Sequence, residues 1–562
     1  MNKKKYSSFW NRFWIVTTIL LSIVYITWRI FYTFPYKKGM VSNVFWVILF
    51  IAEAIGLLEM AVHFYNMYDH EGAPGIKRQL KKYEYPEVDV LLPTINEDEK
   101  LLENTIEAIK NMDYPDKKKV HIYVCDDGNR QEILRLCERT GVNYLARKNN
   151  ENAKAGNLNY AMSKSHSDYV AVFDADMMPR REFLLKTVPY FVTDRDNLGF
   201  IQTPQNFYEP DIFQRNLFLE EDIPNEQDYF YRVIQISKNK SNSVIFGGSN
   251  ALFSRKALES IGGFVTGVLT EDFATGIEIE KAGFRGLALD EVLADGKTPQ
   301  DMKSLVKQRK RWAGGCIQSG WKTNFLFTRK LSLKQKLNYF VSISYWYSSI
   351  KRLIYFLAPL MFALFGIVVV ECSLPQVLMF WLPMYLSTII SMKRFSKGIR
   401  STRWTDIYET TLFPFMLINV ILESLGIRQR KFKVTDKERK VKNTSNTYYM
   451  IPFILMAAVD IAGIIRLLSL SARQETFTYV VILFWMFVNL YYVLMGLLVA
   501  WGRDLNCAKN YTLERSDGVL KEIKLDTNAY MNEGKLIKTY HLKSNNFPDI
   551  LLRSFLRKIG IS

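Results

Sequence analysis

Hydrophobic and polar positions along this chain follow two regimes. Six runs are apolar nearly throughout, at residues 13–32, 42–64, 352–370, 375–392, 449–470 and 477–500. Each approaches the ~20 residues that a helix needs to cross a bilayer. Between the second and third lies a stretch, about 70–330, whose apolar positions recur with the periods of soluble elements. "VDVLLPT" (88–94) reads as a strand, and "EKLLENTIEAIKNM" (99–112) as a helix. "VHIYVCDDG" (120–128) reads as a second strand, and "RQEILRLCERTG" as a helix stopped by Gly141. "VNYLAR" is a third strand, "GNLNYAMSKS" begins a helix, and "YVAVFDAD" is a fourth strand. This alternation predicts an α/β domain with a doubly wound, mostly parallel sheet, inserted in a helical membrane domain of about six spans. Such a sheet binds its ligand, commonly a nucleotide, at the carboxyl ends of its strands.

Charge orients this architecture. The N-terminus "MNKKKYSSFWNRFW" precedes a long apolar run without a small-residue cleavage site, so it reads as an uncleaved first helix. The segment 393–448 is rich in Lys and Arg ("KRFSKGIRSTRW", "RQRKFKVTDKERKVK"). The positive-inside rule then puts both termini, the large domain and 393–448 on the cytoplasmic side of a cell membrane. A net charge of +18 fits juxtamembrane anchoring to anionic lipid, and no nucleic-acid-binding motif accompanies it. The five cysteines have no C-x-x-C spacing and read as thiols. "LKQKLNYFVSISYWYSSI" (333–350) mixes aromatics with Lys and predicts an interfacial helix. The expected organisation is spans 1–2 (1–69), the inserted domain (70–330), an interfacial helix (331–350), spans 3–6 (351–501) with 393–448 between them, and a short tail (502–562).

Candidate chemistry gathers at strand ends. Asp174 and Asp176 end the run "YVAVFDADMM", and two carboxylates that close repel unless a cation lies between them. A divalent metal bridging to a diphosphate would supply it; a capped turn is the alternative. Asp126 and Asp127 follow the second strand, where they could accept from a base or ribose. Lys154 lies in "NNENAKAGNLN" just before a helix, where ammonium and helix N-terminus together suit a phosphate. Each of these also has a plain capping or turn reading. "FGGSNALFSRKAL" (246–258) reads as a glycine-rich turn entering a helix, and "VLTEDFATG" presents Glu271 and Asp272. "VKQRKRWAGG" is open to either a binding role or a basic juxtamembrane stretch with an interfacial Trp.

The order of these pieces resembles glycosyltransferase family 2 in its processive, membrane-embedded branch. They are D-D-G (Asp126–Gly128), K-A-G-N-L-N (Lys154–Asn159), D-x-D (Asp174, Asp176), T-E-D (Thr270–Asp272) and Q-x-x-R-W (Gln308, Arg311, Trp312). "FKVTDK", with Phe432, Val434, Thr435 and Lys437, is similar to the gating loop of bacterial cellulose synthase catalytic subunits. The resemblance covers about 85–445 and implies a glycosyltransferase-A-like fold. It also implies inverting, processive transfer of glucose from UDP-glucose to the non-reducing end of a β-glucan secreted through the protein's own channel. On that basis Asp272 is the general base. Thr94, Glu97, Asp126 and Asp127 hold the uridine, while Lys154 and Arg311 meet the diphosphate. Asp174 and Asp176 hold Mg²⁺ or Mn²⁺, and Asp174 also meets the donor. Gln308, Trp312 and Glu271 hold the acceptor. Partners implied are the UDP-sugar, the nascent polysaccharide and the lipid bilayer, with room for accessory subunits and none for nucleic acid. Intramembrane Glu53, Glu59, Asp460 and Arg466 either line the channel or pair helices. Synthesis of an N-acetylglucosamine- or hyaluronan-type polymer, or single transfer to a lipid phosphate, stand as alternatives. Two departures from Gram-negative cellulose synthases are visible: two N-terminal spans instead of four, and a tail of about 60 residues where they carry a PilZ domain.

Overall fold

The computed structural model describes residues 8–68, 72–193, 197–220, 222–396, 398–427, 447–471 and 477–502, and four strands within 512–537. The inserted domain has ten strands. They are β1 (Val88–Thr94), β2 (Val120–Asp126), β3 (Asn143–Leu145), β4 (Tyr169–Val172), β5 (Met177–Pro179), β6 (Leu198–Gln202), β7 (Asn206–Phe207), β8 (Ala251–Ser254), β9 (Arg285–Ala288) and β10 (Ala294–Gly296). Seven form one sheet in the order β3-β2-β1-β4-β8-β6-β9. The β1–β2, β2–β3, β1–β4 and β6–β9 pairs are parallel; β8 runs antiparallel to both neighbours.

All seven residues of β1 are buried, so its side chains feed a core on each face. Val88, Val90 and Leu92 join the helices Glu99–Lys110, Gln131–Thr140 and Phe183–Thr193 through Leu102, Ile106, Leu136 and Leu184. Leu91, from the other face, packs with Ala155, Leu158 and Ala161 of the helix Ala153–Met162. Helices on both faces make the sheet doubly wound, as the alternation predicts. Gly141, at φ 68, ends its helix in the left-handed conformation.

Six of these strands, β5 to β10, were not predicted. "ALFS", read as part of a turn entering a helix, is β8, the strand that joins the sheet's two halves. Because β8 is antiparallel, its N-terminal approach lies at the same sheet edge as the carboxyl end of β4; Val172 pairs with Ala251. An ion pair fixes this junction from the opposite edge. Arg255, just after β8, donates to fully buried Asp89 of β1, to the Ser167 carbonyl and to Ser165 Oγ.

Six described helices are long and apolar enough to cross a bilayer: Phe9–Tyr32, Met40–Met67, Leu333–Phe365, Leu374–Phe395, Thr447–Leu470 and Tyr479–Trp501. The predicted interfacial helix is the first part of the third: Leu333–Ser344 continues through one 3₁₀ turn into Ser348–Phe365. Of the intramembrane charges, Glu53 pairs with Arg29 at 2.8 Å and Glu59 with Lys351 at 2.5 Å, while Arg466 donates to the Ala363 carbonyl. All three join neighbouring helices. Asp460 is fully buried, and neither of its carboxylate oxygens has a hydrogen-bond partner among the described residues. Within 393–448 the helix Thr402–Ser424 is held by Arg352, which pairs with Asp406 and Glu409. In the segment predicted to be a short tail, Thr512–Ser516 and Val519–Lys524 form an antiparallel hairpin, as do Tyr530–Asn532 and Lys535–Ile537.

Removing one partner of a buried ion pair leaves the other charge unsolvated, at a cost of about 3–5 kcal/mol. Arg255→Met is therefore expected to lower stability by that order, read as a fall in the denaturation midpoint of the purified chain. An unchanged midpoint would mean that Asp89 does not depend on this partner.

Candidate active site

The site is assembled along the carboxyl edge of the sheet. At its β1–β2 end, Thr94 Oγ1 donates to Glu97 Oε2 at 2.7 Å, and Glu97 also accepts from the Ile95 amide. Asp126, fully buried, accepts from the backbone amides of Gly128 and Arg130, from the Arg130 guanidinium and from Tyr144 Oη. Arg130 also reaches Thr94 Oγ1 at 2.9 Å, so these residues form one network. A cavity of about 460 Å³ beside it is lined by Ile95, Asn96, Glu97, Gly128 and Arg130 among others.

Asp127 is gripped by Arg147 through two bonds, of 2.6 and 2.7 Å. The same guanidinium donates to the carbonyls of Glu151 and Ala153, which shapes the turn before Lys154. A Cβ at Gly156 would stand 2.6 Å from Arg147 Nη1. That contact gives the glycine of K-A-G-N-L-N its steric reason.

The third group meets around Gly248. Lys154 Nζ pairs with Asp174 and donates to the Gly248 carbonyl at 2.6 Å. A Cβ on Gly248 would lie 2.8 Å from Asp272 Oδ2, and its φ of +91° is one that side chains rarely adopt. Hence the turn requires glycine here. Ser249 Oγ accepts from the Asp174 amide at 2.8 Å, which ties the D-x-D segment to this turn. Glu271 and Asp272 open the helix Glu271–Lys281, and Asp272 Oδ1 accepts from the Phe273 amide. Burial raises Lys154's neighbours: Glu271 is pushed up to about 7 by burial and by the charge of Asp272, against the pull of Lys154 and Arg311. Asp272 is also raised, chiefly by burial. Burial lowers Lys154, but Asp174, Glu271 and Asp272 outweigh it and leave its pKa raised.

The Q-x-x-R-W segment is helical, within Met302–Thr323, and two adjacent glycines let it approach its neighbours, the T-E-D turn and a second helix. A Cβ on Gly315 would meet Thr270 Cγ2 at 2.5 Å, and one on Gly314 would meet Glu423 of the helix Thr402–Ser424 at 3.1 Å. Gln318 bridges them, donating to Glu423 and accepting from the Leu269 amide. The Arg309 guanidinium lies 4.2 Å from the Trp312 ring and pairs with buried Glu226. Gln308 is buried, and its amide oxygen has no hydrogen-bond partner among the described residues.

Among the described residues no three His, Cys, Asp or Glu side chains converge as a metal cluster. Two carboxylates are nevertheless a fitting donor set for Mg²⁺ or Mn²⁺, which complete their shells with substrate phosphates and water. Asp174, with its side chain 35% exposed, is open to such a ligand, while Asp176 is buried.

Three contributors escaped sequence reading. Arg130 and Arg147 neutralise Asp126 and Asp127, two of the three carboxylates predicted to hold the uridine, and nothing in their local pattern announces it. Tyr231 lies on a π-helical turn, Phe230–Ile234, with its hydroxyl 2.7 Å from where a Gly247 Cβ would be. Its pKa is raised by burial and by the charges of Asp272 and Asp174. Phe432, Val434, Thr435 and Lys437 lie outside the described residues.

Residues 86–315 match the family described as "Glycosyltransferase like family 2". The cellulose synthase 1 catalytic subunit (UDP-forming) of Komagataeibacter xylinus is 32% identical over 455 residues, 80% of this chain and 60% of that protein. The cellulose synthase catalytic subunit of Pseudomonas fluorescens is 30% identical over 80% of this chain and 61% of its own length. The chain thus spans about three-fifths of these relatives. A solved Pyrobaculum calidifontis mannosyltransferase, in complex with GDP-Man and Mn²⁺, aligns with TM-score 0.47 at 19% identity, covering 68% of this chain and all of that one.

Two outcomes test the geometry. Gly248→Ala should displace Asp272 and lower turnover by about 10²-fold, the usual effect of an ångström-scale misplacement, with UDP affinity unchanged. Equal turnover would remove Gly248 from the site. Glu271 keeps its proton in the folded state up to about 7, whereas the unfolded chain loses it in the ordinary carboxylate range. Between those values the folded state binds more protons, so stability falls as pH rises, and the loss is complete above about 7. Glu271→Gln should flatten that slope in melting temperature measured against pH.

Proposed function

We propose that this protein is a processive β-glucan synthase, since residues 86–315 match glycosyltransferase-like family 2 and the chain is similar to cellulose synthase catalytic subunits beyond them. It would transfer glucose from UDP-glucose, with inversion, to the non-reducing end of a chain that leaves through its own membrane helices. The observation that carries this reading is the convergence of Lys154, Asp174 and Asp272 on Gly248, with the Q-x-x-R-W helix docked against the T-E-D turn that carries Asp272.

An inverting transfer is one in-line displacement, so it needs one base and a stabilised leaving group. Asp272 takes the proton of the acceptor hydroxyl, which attacks the anomeric carbon as the bond to UDP breaks. Burial raises its pKa, which makes it a stronger base than an exposed carboxylate. Thr94, Glu97, Asp126 and Asp127 frame the uridine site, with Arg130 and Arg147 fixing the carboxylates. Lys154 leaves Asp174 for the diphosphate, and Arg311 adds a second positive charge there. Asp174 and Asp176 would hold Mg²⁺ or Mn²⁺, which when bound neutralises charge developing on UDP. Trp312, steadied by Arg309, offers an indole face to the acceptor sugar, and the unpartnered Gln308 oxygen is an acceptor for one of its hydroxyls. The segment holding Phe432, Val434, Thr435 and Lys437 would close over bound donor and exclude water. In this reading the catalytic domain and both termini are cytoplasmic.

Incubating the full chain in bilayers with radiolabelled UDP-glucose and Mn²⁺ or Mg²⁺ should yield an insoluble, glucanase-sensitive polymer. Labelled glycolipid would favour single transfer to a lipid phosphate, and no transfer would refute the enzyme. Asp272→Asn should lower polymer formation by at least about 10²-fold while UDP binding survives, because the base contributes little to ground-state affinity. Near-normal turnover would dismiss Asp272 as the base.

A further inference from the structure

Past the Q-x-x-R-W segment, the helix Met302–Thr323 ends at Asn324, in the left-handed conformation at φ 47. The loop that follows presents apolar side chains in two directions. Phe325 and Leu331 point inward and pack with Phe273, Ile277 and Tyr339. Trp321, Leu326, Phe327 and Leu333 point outward and are 64, 44, 81 and 71% exposed. Backbone amides of Phe327 and Thr328 bond to the Asn324 carbonyl, so the loop is folded and its outward side chains are held there. Four large apolar residues, two on a short ordered loop and two at the helix ends that flank it, form a patch that ordinary soluble surfaces avoid.

Basic residues surround the patch. Lys322, Arg329, Lys330, Lys334 and Lys336 fall between 321 and 336, and no Asp or Glu occurs between Asp301 and Glu371. The level of the loop is fixed by its neighbours. The Lys334 ammonium stands 5.5 Å from the ring of Tyr65, and the Asn66 amide donates to Asn338 at 2.5 Å. Tyr65 and Asn66 lie in the last turn of the apolar helix Met40–Met67. Leu333 begins the third membrane-length helix. The patch therefore lies where two such helices meet the catalytic domain, at the level of a bilayer's boundary.

We propose that the segment Trp321–Lys336 docks into the anionic lipid leaflet that faces the catalytic domain. Its four exposed apolar side chains enter the acyl boundary, and its cations meet lipid phosphates. A second copy of the chain fits less well, because a two-fold contact would bring the same five cations, without an acid among them, against their counterparts. The arrangement gives the Q-x-x-R-W helix a lipid anchor at its C-terminal end.

The test is photo-crosslinking of the full chain carrying Phe327→benzoylphenylalanine, in vesicles of phosphatidylcholine and phosphatidylglycerol in equal parts. The expected product is a lipid adduct in which phosphatidylglycerol exceeds phosphatidylcholine by about fivefold or more, the effect of one cation at an anionic surface. Arg329→Gln with Lys330→Gln should cut that preference several-fold while lipid adducts persist. A protein–protein adduct, no adduct, or equal labelling of the two lipids would overturn the proposal.

Discussion

The Lys154 ammonium is the constraint on which this site depends. Asp174, Glu271 and Asp272 come from a strand end and a helix start almost 100 residues apart, and three carboxylates at one turn repel one another. Lys154 pairs with the first and lowers the pKa of the other two, while its bond to the Gly248 carbonyl fixes the backbone between them. Gly248 has no side chain because Asp272 already occupies that space. The site before donor binding is therefore balanced by a protein cation. In the proposed reaction the donor brings its own negative charge and a divalent cation, and Lys154 and Asp174 exchange each other for those partners.

The second dependence is mechanical. The helix that carries Gln308, Arg311 and Trp312 touches the T-E-D turn on one side and the helix Thr402–Ser424 on the other, through adjacent glycines. Thr270, Gly315, Gln318 and Glu423 make one chain of contacts from the T-E-D turn to the helix Thr402–Ser424. That helix is bonded in turn to the third membrane-length helix, through Arg352 and through Tyr347 to Ser424. A sugar resting on Trp312 would stand where the catalytic domain meets the membrane helices, which is the placement that extrusion of a polymer calls for.

Much of this was legible in the chain because the decisive patterns are local. Tyr169–Val172 is a continuous apolar run ended by polar residues, Val88–Thr94 is one broken only by Asp89, and the helix stop at Gly141 is a single-residue signal. The motifs that meet at Gly248 could be named one by one for the same reason. What stayed hidden depends on partners distant in sequence. "ALFS" is too short to show a period, and it is a strand only because Tyr169–Val172 and Leu198–Gln202 flank it. Arg147 sits at the end of a predicted strand, and its grip on Asp127 crosses 20 residues. Glu53 and Glu59, open beforehand to a channel or a pairing role, are in ion pairs with neighbouring helices.

A structure of the full chain with UDP and Mn²⁺ tests the exchange at Lys154 most directly. Lys154 Nζ is expected within hydrogen-bonding distance of a UDP phosphate, with Asp174 released from Lys154 and turned, with Asp176, toward the metal. A UDP bound elsewhere, or bound with the Lys154–Asp174 pair still closed, would contradict it.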